Sequence, residues 1–135
     1  MTRPVLSFAF VVALSSAALS AHHSIAAVYD GGRQVTVEAV VTQFHFVYPH
    51  PFVMADAKDA SGAARSWLLE MDNRRELEGV GMTADTVKAG DRIIASGNPS
   101  LKQPNTLYVR RLDRPADRFR YEQPGMSPRI GVIPR

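Results

Sequence analysis

The segment from residue 34 to residue 47 constrains the fold more than any other part of the chain. Its first half has an apolar residue at every second position: Val35, Val37, Ala39 and Val41. This is the period of a half-buried β-strand. The phase then changes, because the apolar set of the second half is Val40, Phe44 and Phe46. A phase change inside one strand indicates a β-bulge, and a long, bent first strand can serve two sheets that close into a small barrel.

Four further strands are predicted from alternating patterns bounded by turn residues. They cover residues 52–57, 65–71, 92–97 and 106–112, with a hairpin turn at 59–62. In the strand at 65–71, Trp67, Leu69 and Met71 share one face, which we expect to be the buried face.

A short helix is predicted between the third and fourth strands. Asn73 and Glu76 have the spacing of a capping box, in which each side chain accepts from the other residue's backbone N–H. Gly79 and Gly81 end the helix. Three strands, a helix and two strands is the order of the oligonucleotide/oligosaccharide-binding (OB) fold. We therefore predict an all-β domain with one short helix, a five-stranded antiparallel OB-like barrel; a plain antiparallel sandwich is the competing architecture.

The two ends of the chain differ from this central domain. Residues 1–21 have a positive start, an apolar run and a small-residue end, which predicts a helical signal peptide. The apolar run is shorter than the ~20 residues that span a bilayer, so we expect no stable membrane insertion after cleavage.

The barrel domain is assigned to residues 22–112. Residues 113–135 form a tail rich in proline and arginine that we expect to be extended. The predicted location is the bacterial periplasm or another exported compartment.

Composition excludes several classes of function. The chain has no cysteine, which rules out disulfides, thiol catalysis and thiolate metal sites. A formal charge of +3 is too small to indicate a nucleic-acid partner. Neither a nucleophile-elbow motif nor a phosphate-binding glycine loop occurs. We predict no catalytic residue and favour a protein without enzymatic activity, and the question of an enzyme stays open through the copper-dependent alternative given below.

The four histidines are the candidate metal ligands: His22, His23, His45 and His50. Cleavage after Ala21 would leave His22 with a free α-amine, and the amine and the imidazole could chelate one ion. Cleavage after Ser20 would place His23 third, and its imidazole with the amine and two amides forms a square-planar nitrogen set that selects Cu(II) or Ni(II). Two simpler interpretations stay open, because His50 can be a turn residue packed on Phe52 and His45 an outward strand residue.

Four segments, in this order, resemble a family of small exported bacterial proteins classed as a domain of unknown function. They are His-His-Ser at 22–24, Pro-His at 49–50, Trp-Leu-Leu-Glu at 67–70 and Thr-x-Asp-x-Val-Lys-x-Gly-Asp at 83–91. The similarity covers residues 22–112. The chain departs from the family at Tyr48, where an asparagine is usual, so any turn-capping or ligand role of that asparagine is missing here. The resemblance implies export but brings no activity.

These observations predict an exported, non-catalytic binding module. Its ligand would bind at the open end of the barrel through Tyr48, His50 and Phe52, and would be a metal ion, a small envelope ligand or another protein. The alternative is a copper-handling protein or a copper-dependent oxidoreductase that uses the mature N-terminal histidines. A third hypothesis is docking through the arginine-rich tail.

Overall fold

The computed structural model describes residues 24–135, so the predicted leader and its signal helix lie outside the described residues. Seven strands and two short helices are present in this part of the chain. The helices are α1 (Ile25–Val28) and α2 (Arg74–Gly79). The strands are β1 (Val35–His45), β2 (Phe52–Lys58), β3 (Ala64–Glu70), β4 (Arg92–Pro99), β5 (Thr106–Arg114), β6 (Phe119–Glu122) and β7 (Arg129–Val132). Within residues 24–135, no helix has the length and apolar character needed to cross a bilayer.

Strands β1 to β5 form a closed barrel, which confirms the predicted fold class. The sheet order is β3-β2-β1-β4-β5-β6-β7, and β3 also pairs with β5. That closing pair is parallel, with Leu68 opposite Thr106 and Glu70 opposite Tyr108. The prediction of a wholly antiparallel barrel therefore needs one correction. A ring of five strands cannot alternate direction throughout, because an odd number forces one neighbouring pair to run the same way.

The predicted β-bulge is present in β1. The register between β1 and β2 shifts between Val41 and Gln43. Before the bulge the odd-numbered residues point inward, and after it Phe44 and Phe46 pack against the core. The assignment of Val40 to the second apolar set was wrong, because Val40 precedes the bulge and is 42% exposed. β1 pairs with β4 in its first half and with β2 in its second, so its bend connects the two halves of the barrel.

Helix α2 follows β3 directly and begins and ends as predicted. The Asn73 side chain accepts from the Glu76 N–H at 2.9 Å. The reciprocal contact differs, because the Asn73 N–H donates to the carboxylate of Asp72 at 2.7 Å. At the other end Gly81 has φ 95°, and the Met82 N–H donates to the Leu77 carbonyl at 2.9 Å. This is the Schellman arrangement, in which the residue with positive φ is usually glycine.

The core lies inside the barrel and below α2. Of the three residues predicted on the buried face of β3, Leu69 and Met71 are fully buried and Trp67 is half-buried against the core. Leu77 and Met82 are also fully buried, so the C-terminal half of α2 and the residue that follows its glycine cap are fixed to the core by their side chains.

The tail continues the sheet instead of leaving it. β6 pairs with the end of β5, and β7 pairs with β6. Tyr121 of β6 is fully buried. The backbone of the tail thus obtains ladder hydrogen bonds from β5, although its own sequence has few apolar residues.

Candidate functional site

His50 lies in the loop between β1 and β2, between Pro49 and Pro51. Its Nδ1 is 3.0 Å from the carbonyl oxygen of Met71 and 3.9 Å from a carboxylate oxygen of Glu70. A carbonyl can only accept, so Nδ1 carries a proton, and in the neutral imidazole Nε2 has the lone pair. The His50 side chain is 32% exposed. The ring is therefore held in one orientation, and within residues 24–135 no hydrogen bond is formed at Nε2.

Glu70 connects His50 to the N-terminal segment. The hydroxyl of Tyr29 donates to the second carboxylate oxygen of Glu70. The Tyr29 ring also lies against the ring of Tyr108, with 5.6 Å between the ring centres. Burial, followed by the hydrogen bond to Glu70, raises the pKa of Tyr29. The hydroxyl consequently stays protonated as a donor, and the chain that follows α1 is fixed beside Glu70.

Tyr48 lies on the surface near this site. It is 61% exposed, and the Arg74 guanidinium lies 4.5 Å from the centre of its ring. The same guanidinium lies 4.9 Å from the Phe46 ring and donates to the Glu78 carboxylate at 2.8 Å. One face of Tyr48 is therefore covered by Arg74.

Phe52, the third predicted ligand-binding residue, is stacked on a histidine, but this histidine is His45. The two ring centres are 4.5 Å apart and the planes differ by 15°. His45 Nε2 is also 2.9 Å from the side-chain oxygen of Gln43. The interpretation of His50 as the histidine packed on Phe52 was wrong. The register explains this, because His45 lies directly opposite Phe52 in the β1–β2 ladder.

The described residues do not complete the predicted metal site. His45 and His50 have no hydrogen-bonding partner in common. Among residues 24–135, no three histidine or carboxylate side chains lie close enough together to hold a metal ion. His22 and His23 lie outside the described residues.

A buried polar network next to the site was missed by sequence analysis. The Asp72 carboxylate accepts from the side-chain amide of Gln123 at 2.8 Å. Arg110 donates to the Gln123 side-chain oxygen at 3.0 Å and to the Asn98 side chain at 2.7 Å. Partial desolvation, followed by the negative charge of Asp72, raises the pKa of Glu76. The network joins the tail to β4, β5 and the start of α2.

Neither the network nor the Tyr29–Glu70 contact has a local sequence signal. Asp72 and Gln123 are 51 positions apart, and Tyr29 and Glu70 are 41 positions apart. Only the closed barrel brings such residues together.

Comparison with known protein families gives one match for this chain. Residues 9–107 match the model of a family of unknown function, DUF6152. The chain belongs to this family. The matched region of this DUF6152 protein ends at the start of β5, so β6 and β7 lie beyond it. Searches of curated proteins and of solved structures gave no match.

Proposed function

We propose that the protein is an exported, non-catalytic binding module whose ligand binds at the β1–β2 loop, at Tyr48, His50 and Phe52. One observation carries this proposal: His50 donates through Nδ1 to the Met71 carbonyl and leaves Nε2 for a ligand. Histidines that bind metals usually donate their second ring nitrogen to a carbonyl or carboxylate in this way. The ligand class that fits best is a metal ion, and the Glu70 carboxylate beside the ring adds negative charge.

A single histidine does not hold an ion tightly, so the proposal needs further ligands. His22 and His23 are the proposed ones, together with the new α-amine. Support comes from Tyr29, which anchors the N-terminal segment on Glu70 beside His50. Five residues separate His23 from Tyr29, and four of them form α1. A helix rises only about 1.5 Å per residue, so His23 can lie at most about 16 Å from Tyr29. The proposed set does not include His45, because its Nε2 already contacts the Gln43 side chain.

Nitrogen ligands of this kind favour Cu(II) among the divalent ions. The alternative proposal is therefore a copper-handling protein or a copper-dependent oxidoreductase of the periplasm. An oxidoreductase predicts multiple turnovers of ascorbate by the copper-loaded protein, with dioxygen as the electron acceptor that reoxidises the copper. A handling protein predicts copper transfer to a chelator without turnover.

The test is Cu(II) titration of the processed protein, after intact mass spectrometry has defined its N-terminus. We expect stoichiometric binding with a nitrogen-rich electron paramagnetic resonance spectrum. Loss of a residue that only orients a metal ligand typically weakens binding about 10–100-fold, so we expect loss of a direct ligand in His50→Ala to weaken it by at least about tenfold. His45→Ala is the matched control and should change the affinity little.

Two results would contradict the metal proposal. One is an unchanged Cu(II) spectrum after both His22 and His23 are replaced. The other is equal weakening by His50→Ala and His45→Ala, which would indicate non-specific binding to surface imidazoles. An uncleaved leader in the mass spectrum would contradict the proposal of export.

A further inference from the structure

A groove opens on the barrel wall where β1 separates from β2. The β1–β2 ladder stops at Val40 opposite Asp56. β1 continues toward its start paired with β4 alone, and β2 continues to its end paired with β3 alone. The groove between them has a volume of about 610 Å³. Its lining includes Glu38, Val40, Asp56, Lys58, Arg92 and Ile94.

The backbone of β1 turns one unpaired edge toward this groove. In an antiparallel ladder, successive residues direct their N–H and C=O groups alternately to the two sides of the strand. Val41 bonds toward β4, since its N–H donates to the Asp91 carbonyl at 2.9 Å and its carbonyl accepts from the Gly90 N–H at 2.8 Å. Ala39 is two residues from Val41, so its N–H and C=O also face β4. Those of Glu38, one residue further, face the opposite side of the strand. The N–H and C=O of Glu38 therefore face the groove.

The same argument applies to β2 on the other side. The Asp59 N–H donates to the Ala63 carbonyl at 2.9 Å, which continues the β2–β3 ladder. Lys58 is adjacent to Asp59, so its N–H and C=O face away from β3 and toward the groove. Within residues 24–135, two strand edges whose backbone donors and acceptors have no ladder partner thus lie on either side of one groove, as an added β-strand requires.

The side chains of the groove select the kind of strand. Val40 is 42% exposed, and together with Ile94 it gives the groove an aliphatic surface. Two acidic side chains and two basic side chains surround it, and within residues 24–135 none of them forms a salt bridge: Glu38, Asp56, Lys58 and Arg92.

This charge pattern decides between the two extended polymers that an OB-like barrel could bind. A single-stranded nucleic acid needs a positively charged groove with aromatic residues for base stacking. The groove carries balanced charge, and none of its lining residues is aromatic. A polypeptide strand with aliphatic residues and charges of both signs is complementary to it.

We propose that this groove binds an extended peptide segment of a partner protein, which adds as a strand to the free edge of β1. The segment would alternate aliphatic residues with lysine and glutamate. The proposal is independent of the metal site, because no groove residue contacts His50.

Amide hydrogen exchange of the processed protein, followed residue by residue by NMR, tests the proposal. In the free protein we expect the Glu38 amide to exchange roughly 100-fold faster than the ladder-bonded amide of Ala39. The probe is a pool of seven-residue peptides that alternate aliphatic residues with lysine and glutamate. The pool should slow exchange at Glu38 and Lys58 at least about tenfold and leave Ala39 unchanged.

Two variants test the groove while keeping the fold. Glu38→Pro removes a backbone donor that the ladder does not use, as proline does on edge strands. Val40→Lys places a charge on the exposed aliphatic surface without altering the backbone. Proline has no amide at position 38, so in Glu38→Pro the effect is read at Lys58 alone. Both variants should abolish the effect of the pool, whereas His50→Ala should retain it.

Four results would overturn the proposal. They are slow exchange of Glu38 in the free protein, no protection by the pool, protection that persists in both variants, and binding of oligothymidine in place of the pool.

Discussion

Gly97 in β4 offers the sharpest test of the barrel. The β4–β5 register shifts between Ser96 and Gly97. A Cβ added at Gly97 would lie 2.0 Å from the carbonyl oxygen of Tyr108 and 2.8 Å from its carbonyl carbon. Carbon–oxygen contacts in sheets are normally about 3.3–3.6 Å. Gly97→Ala therefore forces the backbone of β5 to move by more than 1 Å, by comparison of these distances.

The loss of stability in Gly97→Ala follows from the displacement of β5. Overpacking typically costs about 1–3 kcal/mol, and each ladder hydrogen bond that is lost adds about 0.5–1.5 kcal/mol. We expect Gly97→Ala to lower the free energy of unfolding by about 3–4 kcal/mol, with a fall in Tm of roughly 12 °C. Urea and thermal unfolding followed by circular dichroism measure both quantities.

Gly79→Ala is the matched control. Gly79 is the last residue of α2, and no atom lies within 4 Å of a Cβ built there. Alanine in a helix should raise stability by up to about 1 kcal/mol. A Tm of Gly97→Ala within about 2 °C of the wild type would refute the close approach of β4 and β5, since ~1 kcal/mol shifts Tm by several degrees.

Two further predictions concern single polar contacts. Tyr29→Phe removes the hydrogen bond to the Glu70 carboxylate and should cost about 1.5–3 kcal/mol in urea unfolding. Tyr48→Phe removes a longer, exposed hydrogen bond to the Glu78 carboxylate, at 3.4 Å, and should cost under about 0.5 kcal/mol. Equal losses would contradict the anchoring role of Tyr29. The hydrogen bond from Arg120 lowers the pKa of Asp113 in the folded protein. The ionised carboxylate therefore stabilises the fold fully above the unfolded pKa of about 3.9. This stabilisation is lost as the pH falls through the lower pKa of the folded state. Asp113→Asn should therefore reduce Tm at neutral pH and make Tm fall less between about pH 4 and pH 2, and a pH profile parallel to the wild type would contradict this assignment.

Sequence patterns predicted the features of this fold that depend on neighbouring residues. The phase change in β1 predicted the bulge, because burial on one face of a strand follows a period of two. Asn73 predicted the start of α2, because its side chain needs only the amide three positions later. Strand limits agreed to within a few residues.

The features that were missed depend on distant residues. The alternation alone could not show that the bulge begins after Val41, so Val40 was assigned to the wrong face. β6 and β7 were missed because β5 provides the edge on which they form. The predicted site was only partly predictable, since the motif Pro49-His50 identified His50 but could not show that Met71 orients its ring.

The parallel closure between β3 and β5 determines when the protein can fold. Leu68 meets Thr106, and without that contact β3 and β5 each keep a free edge. The chain beyond Thr106 must therefore have left the ribosome, or the export channel, before the cylinder can form. Domains built from such distant pairings fold in milliseconds to seconds, far more slowly than helical bundles. A nascent chain stopped short of β5 would present open edges to chaperones and proteases.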